Sequence, residues 1–348
     1  MPPPVLRTLR AEEREAVLDL LDEWPLSNGW RGRDFFRRYV ELDPHYADDD
    51  FWVAEHDGRL AACVQIFPRR LRVRGDAVPV GGIGSVFTSE RARGSGVASS
   101  LLEAAVDAMR ARGMELSLLF ASRHAFYGRL GWMLWPRRRP LWLRGERTAA
   151  PDRARRIEPF EAARDLDAVI ALHERYGAAL DGAVLRERAY WLGQLGFAGN
   201  PLEDFAVARD AAGRVEAYAR GCLLEGIYMV TEVGRAPDAA AALADCVVHL
   251  MAPREPDPIA ARAARGSAEL RRVMVAPAVD DPALGAALAA RGVERRSFEE
   301  RSAMLRVVDA AALARRFGDA RAPDESEADW LARLLPPERL CFWPSDRF

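Results

Sequence analysis

The spacing of apolar residues divides the first 147 residues into helices followed by strands. Apolar positions recur at helical spacing in residues 11–24 and 31–42, which predicts two amphipathic helices. Three strands separated by glycine-containing turns are predicted next, at residues 51–55, 60–73 and 78–87. The half is completed, in order, by a helix from residue 97, a strand at 114–121, a short helix at 124–130 and a strand pair at 132–144.

The same order of elements returns after a linker at residues 148–155. Helical spacing recurs at residues 166–176 and 183–195, and strand patterns follow it. The remaining elements predicted are strands at 205–209, 215–223 and 227–232, a helix at 237–250, a strand at 270–275, a helix at 282–291 and a strand at 301–308. A repeated order of this kind indicates two copies of one supersecondary plan.

Residues 309–348 are too few for a third domain of ordinary size. Two short helices are predicted there, at residues 310–317 and 330–335. The apolar segment Cys341-Phe-Trp-Pro-Ser-Asp-Arg-Phe348 follows them. Segments this hydrophobic usually dock against the protein, so we expect this tail to be buried rather than frayed.

Length and charge narrow the classes of protein. A chain of 348 residues is long enough for two domains, and its net charge of -2 provides no general basic field for nucleic acid or an anionic membrane. The N-terminal residues lack the apolar core of a signal peptide, and no apolar run approaches membrane-spanning length. We therefore expect a cytoplasmic protein with neither a nucleic acid nor a membrane as partner.

Cysteine and histidine positions give no sign of metal or disulfide chemistry. The four cysteines are far apart and form no CxxC pair, which is typical of buried thiols in a reducing compartment. The five histidines are equally scattered, so no metal site is predicted. All 50 residues counted as Lys+Arg are arginine, so the protein cannot acetylate itself on lysine.

The candidate chemistry begins at a glycine-bearing loop. The apolar run at 78–87 leads into Arg91-x-x-Gly94-x-Gly96, and a helix pattern follows at once. A strand, a glycine turn and a helix N-terminus in this order form an anion site, because free backbone N–H groups converge there. The loop is neither a Walker P-loop, which needs a lysine, nor a dinucleotide fingerprint, which needs GxGxxG spacing.

Arg91-x-x-Gly94-x-Gly96 resembles the pyrophosphate loop of the GNAT N-acetyltransferases, which bind acetyl-CoA. Further along, Phe126-Tyr127-x-x-Leu130-Gly131-Trp132 is similar to a second element of that family. The resemblance implies an α/β fold, of the α+β mixed-sheet type, with two tandem GNAT-like domains. The domains expected are a catalytic one at 1–147, a degenerate one at 148–308 and a tail at 309–348.

The second half is expected to be degenerate because it lacks the residues of both motifs. Gly234-Arg-Ala-Pro stands where the first half has its loop, without the paired glycines. Leu288 stands at the place of Tyr127. We therefore expect the second half to support the first rather than to bind cofactor.

The resemblance also implies roles for individual residues. Tyr127 matches the family tyrosine that protonates the CoA sulfur, and a packed aromatic is the alternative reading. Trp132 is expected in the core. The basic run at 136–140 is expected to be a turn, either solvated or near the CoA phosphates. The residues assigned to acetyl-CoA are Ser85, Val86, Phe87, Arg91, Arg93, Gly94, Ser95, Gly96, Val97 and Ala98.

The general base is not evident from the first half, because residues 80–88 contain no acidic side chain. His124 is a weaker candidate, and a polar residue at a helix start is the alternative. The tandem halves followed by a segment ending in phenylalanine resemble the enhanced intracellular survival acetyltransferases. That family uses its terminal carboxylate as the base, which points to Phe348 here. The family also carries a full third domain, which this chain lacks, and the resemblance leaves homo-oligomerisation open.

The sequence therefore predicts an acetyl-CoA-dependent N-acetyltransferase that acts on a primary amine of aminoglycoside, polyamine or peptide type by direct attack on the thioester. Trp24, Trp30 and Phe36 are expected either in the wall of the acceptor cleft or in the core. The alternatives are transfer to a protein N-terminus, transfer of another short acyl group, and a CoA-binding sensor or scaffold without turnover.

Overall fold

Two seven-stranded mixed sheets form the framework of the described part of the chain. The structure is a computed structural model, and it describes residues 4–26, 31–152, 155–197, 203–224, 227–252, 271–275 and 281–347. In the first half, one face of the sheet packs against a pair of helices and the other against one long helix. This arrangement buries both faces of strands that read as continuous apolar runs.

The first sheet has the order β1-β2-β3-β4-β5-β14-β6, and most of its strands come from the first half. Its strands are β1 (Val5–Thr8), β2 (Phe51–His56), β3 (Arg59–Val73), β4 (Asp76–Thr88), β5 (Leu116–Phe120), β6 (Met133–Leu134) and β14 (Ala303–Val307). The helices that accompany it are α1 (Arg14–Asp22), α2 (Gly32–Leu42), α3 (Val97–Ala111) and α4 (His124–Gly128).

The second sheet has the order β13-β7-β12-β11-β10-β9-β8. Its strands are β7 (Arg137–Leu143), β8 (Arg156–Pro159), β9 (Asp204–Arg209), β10 (Val215–Leu224), β11 (Ile227–Arg235), β12 (Arg271–Val275) and β13 (Glu294–Glu300). Its helices are α5 (Ala162–Gly177), α6 (Arg188–Phe197), α7 (Ala240–Leu250) and α8 (Pro282–Ala290).

The two halves exchange a strand. β7 belongs to the first half in sequence, yet it pairs with β12 and β13 of the second sheet. In return β14, the last strand of the second half, lies between β5 and β6 of the first sheet. Hydrophobic patterning predicts strands but not which sheet they join.

Residues 137–140 of the basic run are part of β7, so the prediction of a turn there is wrong. Because side chains alternate along a strand, Arg137 and Arg139 point inward and are buried, while Arg138 is exposed. Both buried guanidinium groups donate to Glu300, at 3.0 and 2.8 Å. Burial alone would raise the pKa of Glu300, but Arg137, Arg139 and Arg347 outweigh it and lower the pKa to about 2. Apolar spacing does not reveal that these arginines lie in a strand, because the inward positions are charged.

The tail consists of α9 (Ala310–Phe317), α10 (Glu327–Leu334) and a segment at residues 340–347, which we term the strap and which contains one 3-10 turn at Pro344–Asp346. Leu340 and Phe342 pack into the core of the first half, and Cys341 and Trp343 into that of the second. The strap thus lies between the halves with alternate side chains facing opposite cores. The predicted docking of the tail is confirmed for these residues.

Candidate functional site

A gap opens between β4 and β5 in the first sheet. The two strands are hydrogen-bonded in parallel only where Val80–Ile83 faces Leu116–Leu119. Beyond Ile83, β4 continues to Thr88 without a partner on β5. The gap lies at the C-terminal ends of both strands, where ligands bind in open α/β sheets.

A β-bulge in β4 coincides with the start of the gap. Cys63 of β3 faces Phe87, whereas Gln65 faces Gly84, so two residues of β4 stand opposite one residue of β3. The first of these two, Ser85, has a φ of 49°, which lies in the left-handed region that non-glycine residues rarely adopt. A bulge of this kind bends its strand and leaves backbone groups outside the ladder. Those groups are available to a ligand in the gap.

Side chains behind the bulge hold it in place. The hydroxyl of Ser85 donates to Oε1 of Gln65 at 2.9 Å, and the thiol of Cys63 donates to the carbonyl oxygen of Ser85 at 3.3 Å. Since Ser85 is buried and its hydroxyl is bonded to Gln65, its side chain holds the bulge rather than a ligand. Burial raises the pKa of Cys63 to about 12, so this thiol is a poor nucleophile.

The loop that follows β4 has the backbone of an anion site. Gly94 and Gly96 have φ values of 81° and 83°, and a Cβ added to either would meet nothing within 4 Å. Glycine is therefore required by backbone conformation, and the space above the loop is open. Gly96 is the N-cap of α3, whose first amides have no intrahelical acceptor. These amides and the helix dipole favour a negatively charged group in the open space.

The polar side chains of the loop mainly hold its shape. A guanidinium nitrogen of Arg91 donates to the carbonyl oxygen of Leu60 at 2.8 Å. The hydroxyl of Ser95 donates to the carbonyl oxygen of Ala92 at 2.7 Å. Arg93 is exposed, and the hydrogen bond that it donates within the described residues, to the carbonyl oxygen of Thr88, is long at 3.4 Å. Val97 is buried in the core under α3, so its backbone alone can reach a ligand.

Tyr127 is brought to the same region by α4, which follows β5. Its ring packs at 5.0 Å from that of Phe126 and 6.2 Å from that of Trp132, on the core cluster that also includes Val86. Burial raises the pKa of Tyr127 above its usual value, although the charge of Arg123 opposes the shift, and this favours the protonated phenol. Tyr127 is therefore a proton donor at any physiological pH.

Trp132 is a core residue, as predicted. It is buried, and its indole N–H donates to the hydroxyl of Ser117 at 3.2 Å. That hydroxyl donates in turn to the carbonyl oxygen of Gly81 at 2.9 Å. The chain of two hydrogen bonds fixes the segment after α4 to β5 and β4, which holds Tyr127 in register with the gap.

The remaining predicted residues divide into three groups. The ring of Trp24 stacks on that of Phe87 at 5.8 Å and lies 5.5 Å from that of Phe36, so the Trp24 side chain covers the end of the bulge. His124 begins α4 and is half-buried, and among the described residues its Nε2 atom has no hydrogen-bond partner. Trp30 and Phe348 lie outside the described residues.

Sequence reasoning missed Phe120, the last residue of β5 and thus part of the gap wall. The ring of Phe342 lies 5.1 Å from it, and the guanidinium carbon of Arg347 lies 4.7 Å from its centroid. Both partners come from the strap, more than two hundred residues away in sequence. No local pattern signals such a contact.

A cleft of ≈ 620 Å³ lies beside the loop, between α1 and the turn that joins β2 to β3. Its charged lining residues are Arg10, Glu13, Asp19, Glu23, Glu55, Arg59 and Arg91. Across the described ranges, no three His, Cys, Asp or Glu side chains are arranged to hold a metal ion. Within the same ranges, no helix has the length and apolar character needed to cross a bilayer.

Comparison with known proteins agrees with the geometry of the first half. Residues 5–135 match a family model described as an acetyltransferase (GNAT) domain. This match covers the loop, the gap and Tyr127. A search of curated proteins finds no match to the sequence.

Solved structures share the fold over most of the chain. A probable N-acyltransferase from Enterococcus faecalis V583 has a TM-score of 0.64 at 15% identity, over 90% of this chain and 74% of that one. Eis1 from Mycobacterium abscessus has a TM-score of 0.56 at 20% identity, over 89% and 75%. The Saccharomyces cerevisiae N-myristoyltransferase with bound myristoyl-CoA has a TM-score of 0.57 at 14% identity, over 94% and 87%.

Proposed function

We propose that this chain, whose residues 5–135 form a GNAT acetyltransferase domain, transfers an acetyl group from acetyl-CoA to a primary amine at the β4–β5 gap. One observation carries the proposal: the strand gap, the glycine loop at the start of α3 and the protonated Tyr127 lie at the same end of one sheet. The loop fits the diphosphate of CoA because its glycines leave the space above the helix N-terminus open.

The roles of the residues follow from what acyl transfer needs. Backbone amides from Gly94 to Ala98 bind the diphosphate, and Arg93 adds positive charge. The backbone N–H of Val86, at the bulge, polarises the thioester carbonyl. Tyr127 donates a proton to the departing sulfur.

Direct attack by the amine is favoured over transfer through an enzyme thiol. All four cysteines are buried, and Cys63 is the one that contacts the bulge. Its pKa of about 12 keeps it protonated, and its thiol hydrogen is already donated to the carbonyl oxygen of Ser85. An acyl-cysteine step would need a thiolate that this site does not stabilise.

The amine must lose a proton before it attacks. His124 is one candidate base, since its Nε2 is free of hydrogen bonds within the described part of the chain. The carboxylate at Phe348, which the resemblance implies, is the other. Two variants distinguish them: His124→Asn, and a chain extended by residues after Phe348. The variant that lowers kcat at neutral pH, with the loss relieved at high pH where the amine is already neutral, identifies the base.

Tyr127→Phe is expected to lower kcat by about 100-fold, because it removes the proton donor and keeps the ring that packs on Phe126 and Trp132. The affinity for acetyl-CoA should remain within about threefold of wild type, because the loop is unchanged. Steady-state thiol release and calorimetric titration measure the two quantities. Tyr46→Phe, which removes a hydroxyl bonded to Asp48 at 2.8 Å, is the control and should leave both unchanged. Equal kcat values for Tyr127→Phe and wild type would exclude the role of Tyr127 as acid.

A further inference from the structure

The second sheet has a strand gap like that of the first. Within the described residues, β11 pairs in parallel with β12 where Ile227–Val230 faces Arg271–Met274, and β11 then continues to Arg235. The register between β10 and β11 shifts at Arg220 and Gly221, as the register of β3 and β4 shifts at the first gap. The second half therefore retains the backbone geometry that opens a site in the first half.

The strap fills this second gap. Trp343 is buried in the same core cluster as Tyr228, Val230 and Val233 of β11. The next two strap residues, Ser345 and Asp346, are also buried, and Ser345 donates a hydrogen bond to Glu232 of β11. The place proposed for the ligand in the first half is thus taken by the chain itself in the second.

An ionic cluster binds the end of the strap. Arg186 donates to Asp346 through Nε at 2.8 Å and Nη2 at 2.7 Å, and to Glu232 through Nη2 at 2.7 Å. The side chains of all three residues have 0% exposure. Gln194 donates to the carbonyl oxygen of Ser345 at 3.1 Å. Buried charges this well paired fix one geometry, because any displacement leaves a charge without its partner in a medium of low dielectric constant.

The same strap contacts the wall of the first gap. Phe342 packs on Phe120, and the guanidinium group of Arg347 lies over the same ring. Arg347 also donates to Oε1 of Glu300 at 2.7 Å. Glu300 is the last residue of β13 and faces Arg137 of β7. Asp346 and Arg347 are adjacent in sequence. When Asp346 is fixed at the second gap, Arg347 is therefore held beside the first gap.

We infer that the strand gap of the second half is a binding site for the strap, and that Asp346, held by Arg186 and Glu232, is a positioning residue for the first-half gap. The cluster sets where Arg347 and Phe342 meet Phe120. This gives the second half a function in the reaction without a cofactor of its own. The effect on turnover rests on the proposed function, whereas binding of the strap does not.

Asp346→Asn tests the inference in the full chain. The amide keeps the shape of the carboxylate, and Arg186 keeps its ion pair with Glu232, so the fold is retained. The amides of Asp346 and Arg347, which donate to Trp343 and Pro344, should exchange with deuterium at least about tenfold faster, while those of α3 are unchanged. In the same variant kcat should fall at least about tenfold, with acetyl-CoA affinity within about threefold of wild type.

Glu338→Gln is the matched control, because Glu338 is an exposed carboxylate close to the strap in sequence. It should change neither exchange nor kcat. Unchanged exchange in Asp346→Asn would overturn the anchoring, and faster exchange with unchanged kcat would overturn the positioning role. If the wild-type protein shows no turnover with any amine, the proposed function fails, while the exchange experiment still decides whether the second gap binds the strap.

Discussion

Gly96→Val is expected to reduce the affinity for acetyl-CoA by at least about 100-fold, which corresponds to about 2.7 kcal/mol of binding free energy. A side chain at residue 96 would enter the open space above the first turn of α3, which the diphosphate needs. The positive φ of 83° also makes any side chain there unfavourable. Isothermal titration with acetyl-CoA measures the loss.

Gly113→Val separates ligand exclusion from backbone strain. Gly113 follows the C-terminal end of α3 with a φ of 72°, and a Cβ there also meets nothing within 4 Å. The two substitutions therefore cost similar strain, roughly 1–2 kcal/mol each. Only Gly96→Val should lose affinity. Equal affinities for the two folded variants would contradict the placement of the diphosphate.

Separate production of residues 1–147 and 148–348 is expected to give two chains that do not fold alone. The first fragment lacks β14, whose five residues pair with β5 and whose Met304 and Leu305 are buried. The second lacks β7, which pairs with both β12 and β13. Burial of each large apolar side chain contributes about 1.5–3 kcal/mol, so losing a central strand removes much of a typical stability of about 5–15 kcal/mol.

Circular dichroism and cooperative thermal unfolding test each fragment, and co-refolding of the two is the control. The mixture should recover a folded complex, because the exchanged strands then find their sheets. A fragment 1–147 that unfolds cooperatively as a monomer would contradict the conclusion that strand exchange couples the halves. That outcome would instead favour independent domains with the boundary that the sequence predicts.

The sequence predicts most helices and strands because the spacing of apolar residues within each segment determines them. The predicted bounds of α9 equal the observed ones, and those of β3 differ from the observed ones by one residue. The strands β1, β8 and β13 were not predicted; β1 and β8 are short, and all three lie at or near a sheet edge. β13 is also rich in charged residues, since its position at the sheet edge exposes them to solvent. Such strands carry little apolar signal, so only pairing reveals them.

The candidate site is predictable where backbone chemistry requires a residue type. Gly94 and Gly96 stand out because an anion loop needs glycine, and Tyr127 because of its motif. The role of Phe120 and the Arg186–Glu232–Asp346 cluster were not predictable, since both depend on where the strap docks. Arg186 and Asp346 are 160 residues apart, so no sequence pattern pairs them.

Acyl transfer itself is measured most directly by thiol release from acetyl-CoA in the presence of an amine panel, with mass spectrometry of the products. Propionyl-CoA and myristoyl-CoA as alternative donors establish the acyl group. Polyamines, aminoglycosides and peptides with a free N-terminus establish the acceptor. We expect amine-dependent release of CoA, an N-acetylated product, and loss of both in Gly96→Val. Binding of acetyl-CoA without release above spontaneous hydrolysis, for every donor and amine in the panel, would contradict the account and indicate a CoA-binding protein without turnover.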